Sequence, residues 1–287
     1  MDVFQATVDT LGPDIIGVTE SWASDDILDS ELQLLGYTMF RCDRPTGHKG
    51  GGVLLYVLTE LSPVGVSPGT GFPEHVWCKL RDSGKEEILI GVCYRSSNTT
   101  IYADGGHQGL RDLLGVAQKK RSLLMGDFNY PDIDWKMCQP LNKATEECRK
   151  FVECVEENFY TQHVLRGTRD GAVLDLILTS VPDLVSNVKI LESLGKSDHN
   201  MITCDVHIEA VIESARRECM DYARANFEGM KEELRGMDWD TLLNGEVNDD
   251  WITLRDILKN LEARYIPRKM VKDNGQRKPI WMTKKSS

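Results

Sequence analysis

The longest uninterrupted apolar run in the chain is Val53-Leu54-Leu55-Tyr56-Val57-Leu58, and short runs rich in β-branched residues recur as far as Ile208. Such runs suit buried strands and fall far short of the about 20 residues that a membrane-spanning helix needs. They predict strands at 14–19, 52–57, 75–80, 88–94, 122–126, 173–178, 188–191 and 201–208. Turns are expected at Pro45-Thr46-Gly47, Ser67-Pro68-Gly69, Asp82-Ser83-Gly84 and Asp104-Gly105-Gly106. Helical spacing appears at 110–118 and after Thr145, where Cys148, Phe151, Val152, Val155 and Phe159 fall on one face. Strands interspersed with helices imply an α/β fold: a four-layer sandwich of two packed mixed β-sheets flanked by helices, over residues 1–209. Residues 211–235 and 249–265 read as polar helices joined by 236–248, so residues 210–287 form a helical extension with a basic tail.

Charge narrows the functional classes. The net charge is −11, yet from Arg264 onward there are eight Lys or Arg against one acid, Asp273. The acidic main body argues against simple DNA packaging, which demands a basic surface. It does not exclude an enzyme whose carboxylates hold a cation, because the cation inverts the local field. The eight cysteines contain no C-x-x-C pair, so zinc-ribbon and thioredoxin chemistry are excluded, and several lie in apolar runs as buried thiols. With Asp2 directly after Met1 and no apolar leader, the expected location is intracellular, nuclear or cytoplasmic, with neither secretion nor membrane attachment.

Polar residues gather at the ends of the apolar runs. Ile15-Ile16-Gly17-Val18 leads to Thr19-Glu20, the run ending at Cys93 leads to Tyr94 and then Asn98, and Leu123-Leu124-Met125-Gly126 leads to Asp127-Phe128-Asn129. Asp175 interrupts the run from Val173 to Leu178, and Ser197-Asp198-His199 precedes the last run. Strand ends share a rim, which is where α/β proteins place their sites. Oxygen donors and a histidine on one rim suit Mg²⁺ beside a general base. Singly, each cluster has a bland account: Glu20 an exposed strand-end acid, Asp127 and Asn129 an Asx turn, Asp198 and His199 a cap. Asp175 is less easily dismissed, because a carboxylate inside an apolar run needs a partner, and His199 is the natural one.

In combination, Val18-Thr19-Glu20-Ser21-Trp22, Gly126-Asp127-Phe128-Asn129, Leu174-Asp175-Leu176 and Ser197-Asp198-His199 resemble the endonuclease/exonuclease/phosphatase superfamily. Tyr94-Arg95-Ser96-Ser97-Asn98 and the stretch from Arg41 to Gly50-Gly51-Gly52-Val53 are similar to the apurinic-type endonuclease domain of non-LTR retrotransposons. The tail, with Lys278-Pro279-Ile280-Trp281-Met282, resembles the linker before such an element's reverse transcriptase, although no Tyr-x-Asp-Asp polymerase site follows. The resemblance implies a Mg²⁺-dependent phosphodiesterase that nicks DNA, with Mn²⁺ as a substitute ion. It assigns the metal to Glu20 and Asp198, and the attacking water and scissile phosphate to Asp127 and Asn129. His199, oriented by Asp175, would contact the phosphate, and Tyr94 and Asn98 would bind its oxygens. The general base stays open at this level.

That family's domain opens with a further strand carrying an asparagine, whereas here the Glu20 strand follows after only thirteen residues and the first asparagine is Asn98. The expectation is therefore an unpaired central edge and one missing partner at the site. Two alternatives follow: a catalytically dead retrotransposon relic that binds nucleic acid or protein, and a phosphatase of the same superfamily. Gly47-His48-Lys49-Gly50-Gly51-Gly52 lacks the Ser/Thr of a phosphate loop and reads as a turn with close backbone approach. His75 with Cys78 and Cys204 with His207 each lack two further ligands for zinc. Tyr265 and Trp281 within the basic tail leave a nucleic-acid contact open.

Overall fold

The computed structural model describes residues 2–44, 49–81, 87–98, 106–208 and 216–272. The turns expected around Thr46, Ser83 and Asp104, the boundary near 210 and the tail from Asp273 lie outside these residues. The chain divides into two compact units, Met1–Glu213 and Ser214–Ser287.

The first unit contains, in order, α1 (Asp2–Leu11), β1 (Ile15–Thr19), α2 (Asp29–Leu32), β2 (Tyr37–Cys42), β3 (Val53–Leu58), β4 (Val64–Val66), β5 (His75–Arg81) and β6 (Glu87–Tyr94). There follow α3 (His107–Ala117), β7 (Arg121–Asp127), β8 (Ile133–Asp134), β9 (Gln139–Pro140), α4 (Glu146–Glu157), β10 (Thr161–Gln162), β11 (Asp175–Thr179), β12 (Val185–Ser193) and β13 (Asn200–Val206). A six-stranded sheet runs β10-β11-β7-β6-β5-β4. It is mixed, because β6 and β7 are parallel while its other pairs are antiparallel. The facing layer is antiparallel and in two pieces, the three-stranded β1-β3-β2 and the hairpin β12-β13.

Burial explains the layering. Strands β3, β6 and β7 are apolar on both sides, since Val53, Leu55 and Val57 meet Ile88, Ile90, Val92 and Leu123 in one inter-sheet core. The β12-β13 hairpin adds Val185 and the partly buried Ile190, Ile202 and Cys204 to that core. On the outer face of the large sheet, α3 and α4 bury Leu110, Leu113, Leu114, Phe151, Val152 and Val155. On the opposite side, Phe4 and Val8 of α1 pack with Leu54 and Tyr56. The layers are thus helix, sheet, sheet, helix. No helix among the described residues is long and apolar enough to cross a membrane.

Two expectations need correction. Helix α4, capped by the Thr145 hydroxyl, stops at Glu157, so Phe159 leaves the apolar face in a left-handed conformation and is exposed. No α-helix fills 216–226, because β14 (Arg216–Met220) pairs antiparallel with β15 (Arg268–Lys272) in the second unit, which takes part of the basic tail into a ladder, and only a short 3₁₀ turn follows at Tyr222–Arg224. That unit also holds α5 (Phe227–Arg235), α6 (Trp239–Leu242) and α7 (Val247–Tyr265), with Tyr265 donating to Glu233 at 2.7 Å.

Among the described residues β1 pairs only with β3, and β13 only with β12. Among these residues one edge of each is without a strand partner. The cysteines described are free, and Cys78, Cys93, Cys148 and Cys154 are buried as their apolar surroundings implied.

Candidate active site

Sheet register builds one half of the site. Tyr94 lies opposite Asp127 in the parallel β6–β7 pair, and Asp127 lies opposite Asp175 in the antiparallel β7–β11 pair. Residues aligned across neighbouring strands point to the same face. The three side chains therefore form a row along the rim of the six-stranded sheet. Gly126 makes this alignment possible: its φ is +143°, and a Cβ there would stand 1.8 Å from the Cys93 carbonyl oxygen.

Beyond the strand, the chain turns on Asp127 itself. Asn129 donates its backbone N–H to Asp127 Oδ1 at 3.0 Å and its side-chain amide to Oδ2 at 2.7 Å. The same amide donates to the Arg95 carbonyl at 2.9 Å. The Asx turn expected at Asp127 and Asn129 is thus formed. Arg95 lies 3.9 Å over the Tyr130 ring, beneath this loop, and a role for it could have been sought from its place beside Tyr94.

Asp175 is the first residue of β11, so the strand starts two residues later than the expected 173. The buried Thr168 hydroxyl takes the N–H groups of Leu174 and Asp175, both at 3.2 Å, so the ladder starts only there. The Asp175 carboxylate accepts from His199 Nδ1 at 2.8 Å, and Nε2 lies 3.4 Å from Arg169 Nη1. The bond to Asp175, opposed by partial burial, raises the His199 pKa. Asp127 is 2% exposed, and its pKa is raised by burial and then by the neighbouring Asp175 charge. Oxygen and nitrogen atoms of Asp127, Asp175 and His199 lie within 4.8 Å of one another, close enough to share one cation.

The other half of the site comes from the facing layer. Glu20 leaves β1 at φ +52° and Trp22 follows at +55°, held by Ser21 N–H on the Gly52 carbonyl and Trp22 N–H on the Gly51 carbonyl. The glycine segment therefore acts through close backbone approach, and a Cβ on Gly51 would strike the Arg44 guanidinium. The Tyr94 hydroxyl donates to Glu20 Oε1 at 2.5 Å and Trp22 Nε1 to Oε2 at 3.2 Å. Burial, then the bond to Glu20, pushes the Tyr94 phenol upward, so it acts as a donor. Beneath its ring, Arg44 is paired with the fully buried Glu74 at 2.5 Å, a pair that the sequence pattern did not signal.

Asp198 is mostly exposed, and its carboxylate meets Arg169 at 2.7 Å. Glu20 and Asp198 thus stand outside the group formed by Asp127, Asp175 and His199. Asn98 is exposed beyond β6, its backbone N–H on the Ser96 hydroxyl at 3.2 Å. The donor set fits a hard divalent cation. Among the described residues, Glu20 has hydrogen bonds from neutral donors alone, so its charge is uncompensated beside a second carboxylate, Asp127.

Three solved structures are similar to this chain at low identity. The human Nocturnin catalytic domain with bound sulfate is 17% identical with a TM-score of 0.49, covering 72% of this chain and 85% of that one. The Xenopus laevis APE2 catalytic domain is 13% identical with a TM-score of 0.44, covering 73% and 89%. Truncated Caenorhabditis elegans TDP2 is 14% identical with a TM-score of 0.42, covering 71% and 89%. No curated protein matches the sequence. The sequence profile of the Endonuclease/Exonuclease/phosphatase family matches residues 1–199, a span that ends on His199 and takes in every rim residue described above. The chain belongs to the endonuclease/exonuclease/phosphatase family.

Proposed function

We propose that this chain is a Mg²⁺-dependent phosphodiesterase that nicks DNA, of the type found in non-LTR retrotransposons. The observation that carries the reading is the row Tyr94–Asp127–Asp175 with His199 fixed on Asp175 at 2.8 Å, facing Glu20 across the rim. The family membership supports hydrolysis of phosphate esters. The retrotransposon type rests on the resemblance of Tyr94–Asn98, of Arg41 to Val53, and of the basic tail.

In this reading Glu20 holds the cation, with Asp198 as the second carboxylate, and Mn²⁺ substitutes for Mg²⁺. When bound, such a cation would supply Lewis-acid stabilisation of the negative charge on the phosphate. Asp127 orients the attacking water and, with its raised pKa, is suited to take a proton near neutrality. Asn129 locks that carboxylate through two hydrogen bonds and positions the phosphate. His199 presents Nε2 to the phosphate while Asp175 fixes its tautomer. Tyr94 and Asn98 donate to phosphate oxygens. These groups act by holding reactants in line, the main source of rate in phosphoryl chemistry.

Nicking of supercoiled plasmid by the purified full chain tests the proposal, with Mg²⁺, with EDTA, and with the Asp198→Ala, His199→Ala double variant. Metal-dependent nicking that the variant loses supports it. A folded wild-type chain with no nicking above the variant overturns it in favour of a catalytically dead binding module. Cleavage confined to a small phosphomonoester would place the chain among the phosphatases instead.

A further inference from the structure

The rim is crowded with negative charge, from Glu20, Asp127, Asp175 and Asp198, while the proposed substrate is itself an anion. Cations near the rim are mostly spent: Arg44 is locked onto buried Glu74, and Arg95 is buried under Tyr130. Arg169 is different. Its side chain is 40% exposed, Nη2 meets Asp198 Oδ2 at 2.7 Å, and Nη1 stands 3.4 Å from His199 Nε2. That nitrogen is the one Asp175 leaves free, because Nδ1 is taken by the carboxylate.

The fold goes to some length to put Arg169 there. Arg169-Asp170-Gly171-Ala172 is a tight hairpin turn, with Asp170 at φ +48° and Gly171 at +80° and the N–H of Ala172 on the Arg169 carbonyl at 2.8 Å. The residue before it, Thr168, is fully buried and ties the hairpin in two directions. Its hydroxyl caps the N–H groups of Leu174 and Asp175, and its carbonyl accepts from Asn200 at 2.9 Å. One hairpin is thus fastened to the residues that flank both members of the Asp175–His199 pair. Such bracing holds a side chain in register with the pair, which a solvent-facing arginine does not need.

The geometry points to Arg169 as a substrate-binding residue: its guanidinium takes a non-bridging oxygen of the phosphodiester at His199, and its bond to Asp198 is the substrate-free resting contact. This inference rests on the phosphodiesterase reading of the same site. A guanidinium offers several N–H groups in a planar fork that matches a phosphate. Its partner Asp198 is 65% exposed, and an ion pair that open to water is weak enough to exchange for a better ligand.

Binding without turnover tests the inference. The probe is a short fluorescein-labelled DNA duplex, titrated by anisotropy at low salt in EDTA with the full-length wild-type chain, Arg169→Ala and Arg169→Lys. Arg169→Ala is expected to weaken binding about tenfold or more, the usual scale for a lost charge-assisted hydrogen bond. Arg169→Lys should fall between, since charge remains and the fork is lost. Guanidinium ion added at millimolar concentration should restore part of the Arg169→Ala loss, which a merely structural role would not allow. Wild-type affinity in Arg169→Ala, no binding by wild type, or a loss that guanidinium leaves untouched overturns the inference. Plasmid nicking in Mg²⁺ decides the phosphodiesterase reading separately: nicking by wild type with unchanged EDTA binding in Arg169→Ala would leave that reading standing and remove Arg169 from it.

Discussion

The two halves of the site are built in different ways. Tyr94, Asp127 and Asp175 are fixed by strand register inside the six-stranded sheet, whereas Glu20 and Asp198 stand exposed on turns that leave β1 and precede β13. In the first half Asp127, beside Asp175, has a raised pKa, and so does His199, which the turn before β13 brings onto Asp175, while in the second half Glu20 lies open to water. The difference teaches that the sheet supplies precision and perturbed proton affinity, while the facing layer supplies accessible charge. A proton acceptor needs the former, and a cation that retains several waters needs the latter.

The largest test of this contrast is Gly126→Ala. A methyl group 1.8 Å from the Cys93 oxygen, at φ +143°, breaks the β6–β7 register that holds the row. Destabilisation on the order of 4 kcal/mol or more is expected in urea denaturation; a change below about 1 kcal/mol would show that the register tolerates a shift. Next comes Asp175→Asn against Asp198→Asn. The former leaves His199 without its charged partner and should cost roughly 10²- to 10⁴-fold in kcat. The latter should cost less, and equal losses in plasmid nicking would erase the distinction between the halves.

Glu20→Gln probes the exposed half. It should raise the Mg²⁺ concentration for half-maximal nicking while leaving the melting temperature in EDTA nearly unchanged. A large fall in that melting temperature would make Glu20 structural. The smallest effect is on pH dependence in EDTA. Burial raises Asp127, and the bond to Asp175 raises His199, so the folded chain holds more protons than the unfolded chain between their ordinary and shifted values. Stability therefore falls as pH rises, from the ordinary carboxylate range through Asp127 and then from the ordinary imidazole range through His199. Melting temperatures from about pH 5 to about pH 8 should decline, and Asp127→Asn should flatten the acidic part of that decline. An identical slope in the variant would mean that Asp127 is not the raised group.

Much of this architecture is legible in the amino-acid pattern. The apolar runs mark β1, β3, β5, β6 and β7 to within a residue or two, and their polar ends name the rim residues. Strand β2 escapes because Tyr37–Cys42 mixes Thr and Arg into its run, and its apolar side chains are only half-buried. Helix α1 escapes because only Phe4 and Val8 mark its inner face. Arg169 carries a local signal, the Asp170-Gly171 turn beside it, but a turn alone does not say what its flanking side chain will meet.

What the sequence determined by itself is local: strand length, Gly126 where no side chain fits, the Asx turn on Asp127, and the identity of the groups at each strand end. Each follows from a few neighbouring residues, because backbone sterics and hydrogen-bonding capacity act over that range. Only the tertiary structure decided which groups meet. The 2.8 Å contact of Asp175 with His199, the row across β6, β7 and β11, the division of the facing layer and the reach of Arg169 to Asp198 all join residues far apart in the chain. Strand register and hairpin bracing set those distances through packing of whole layers, and no short stretch of sequence contains that information.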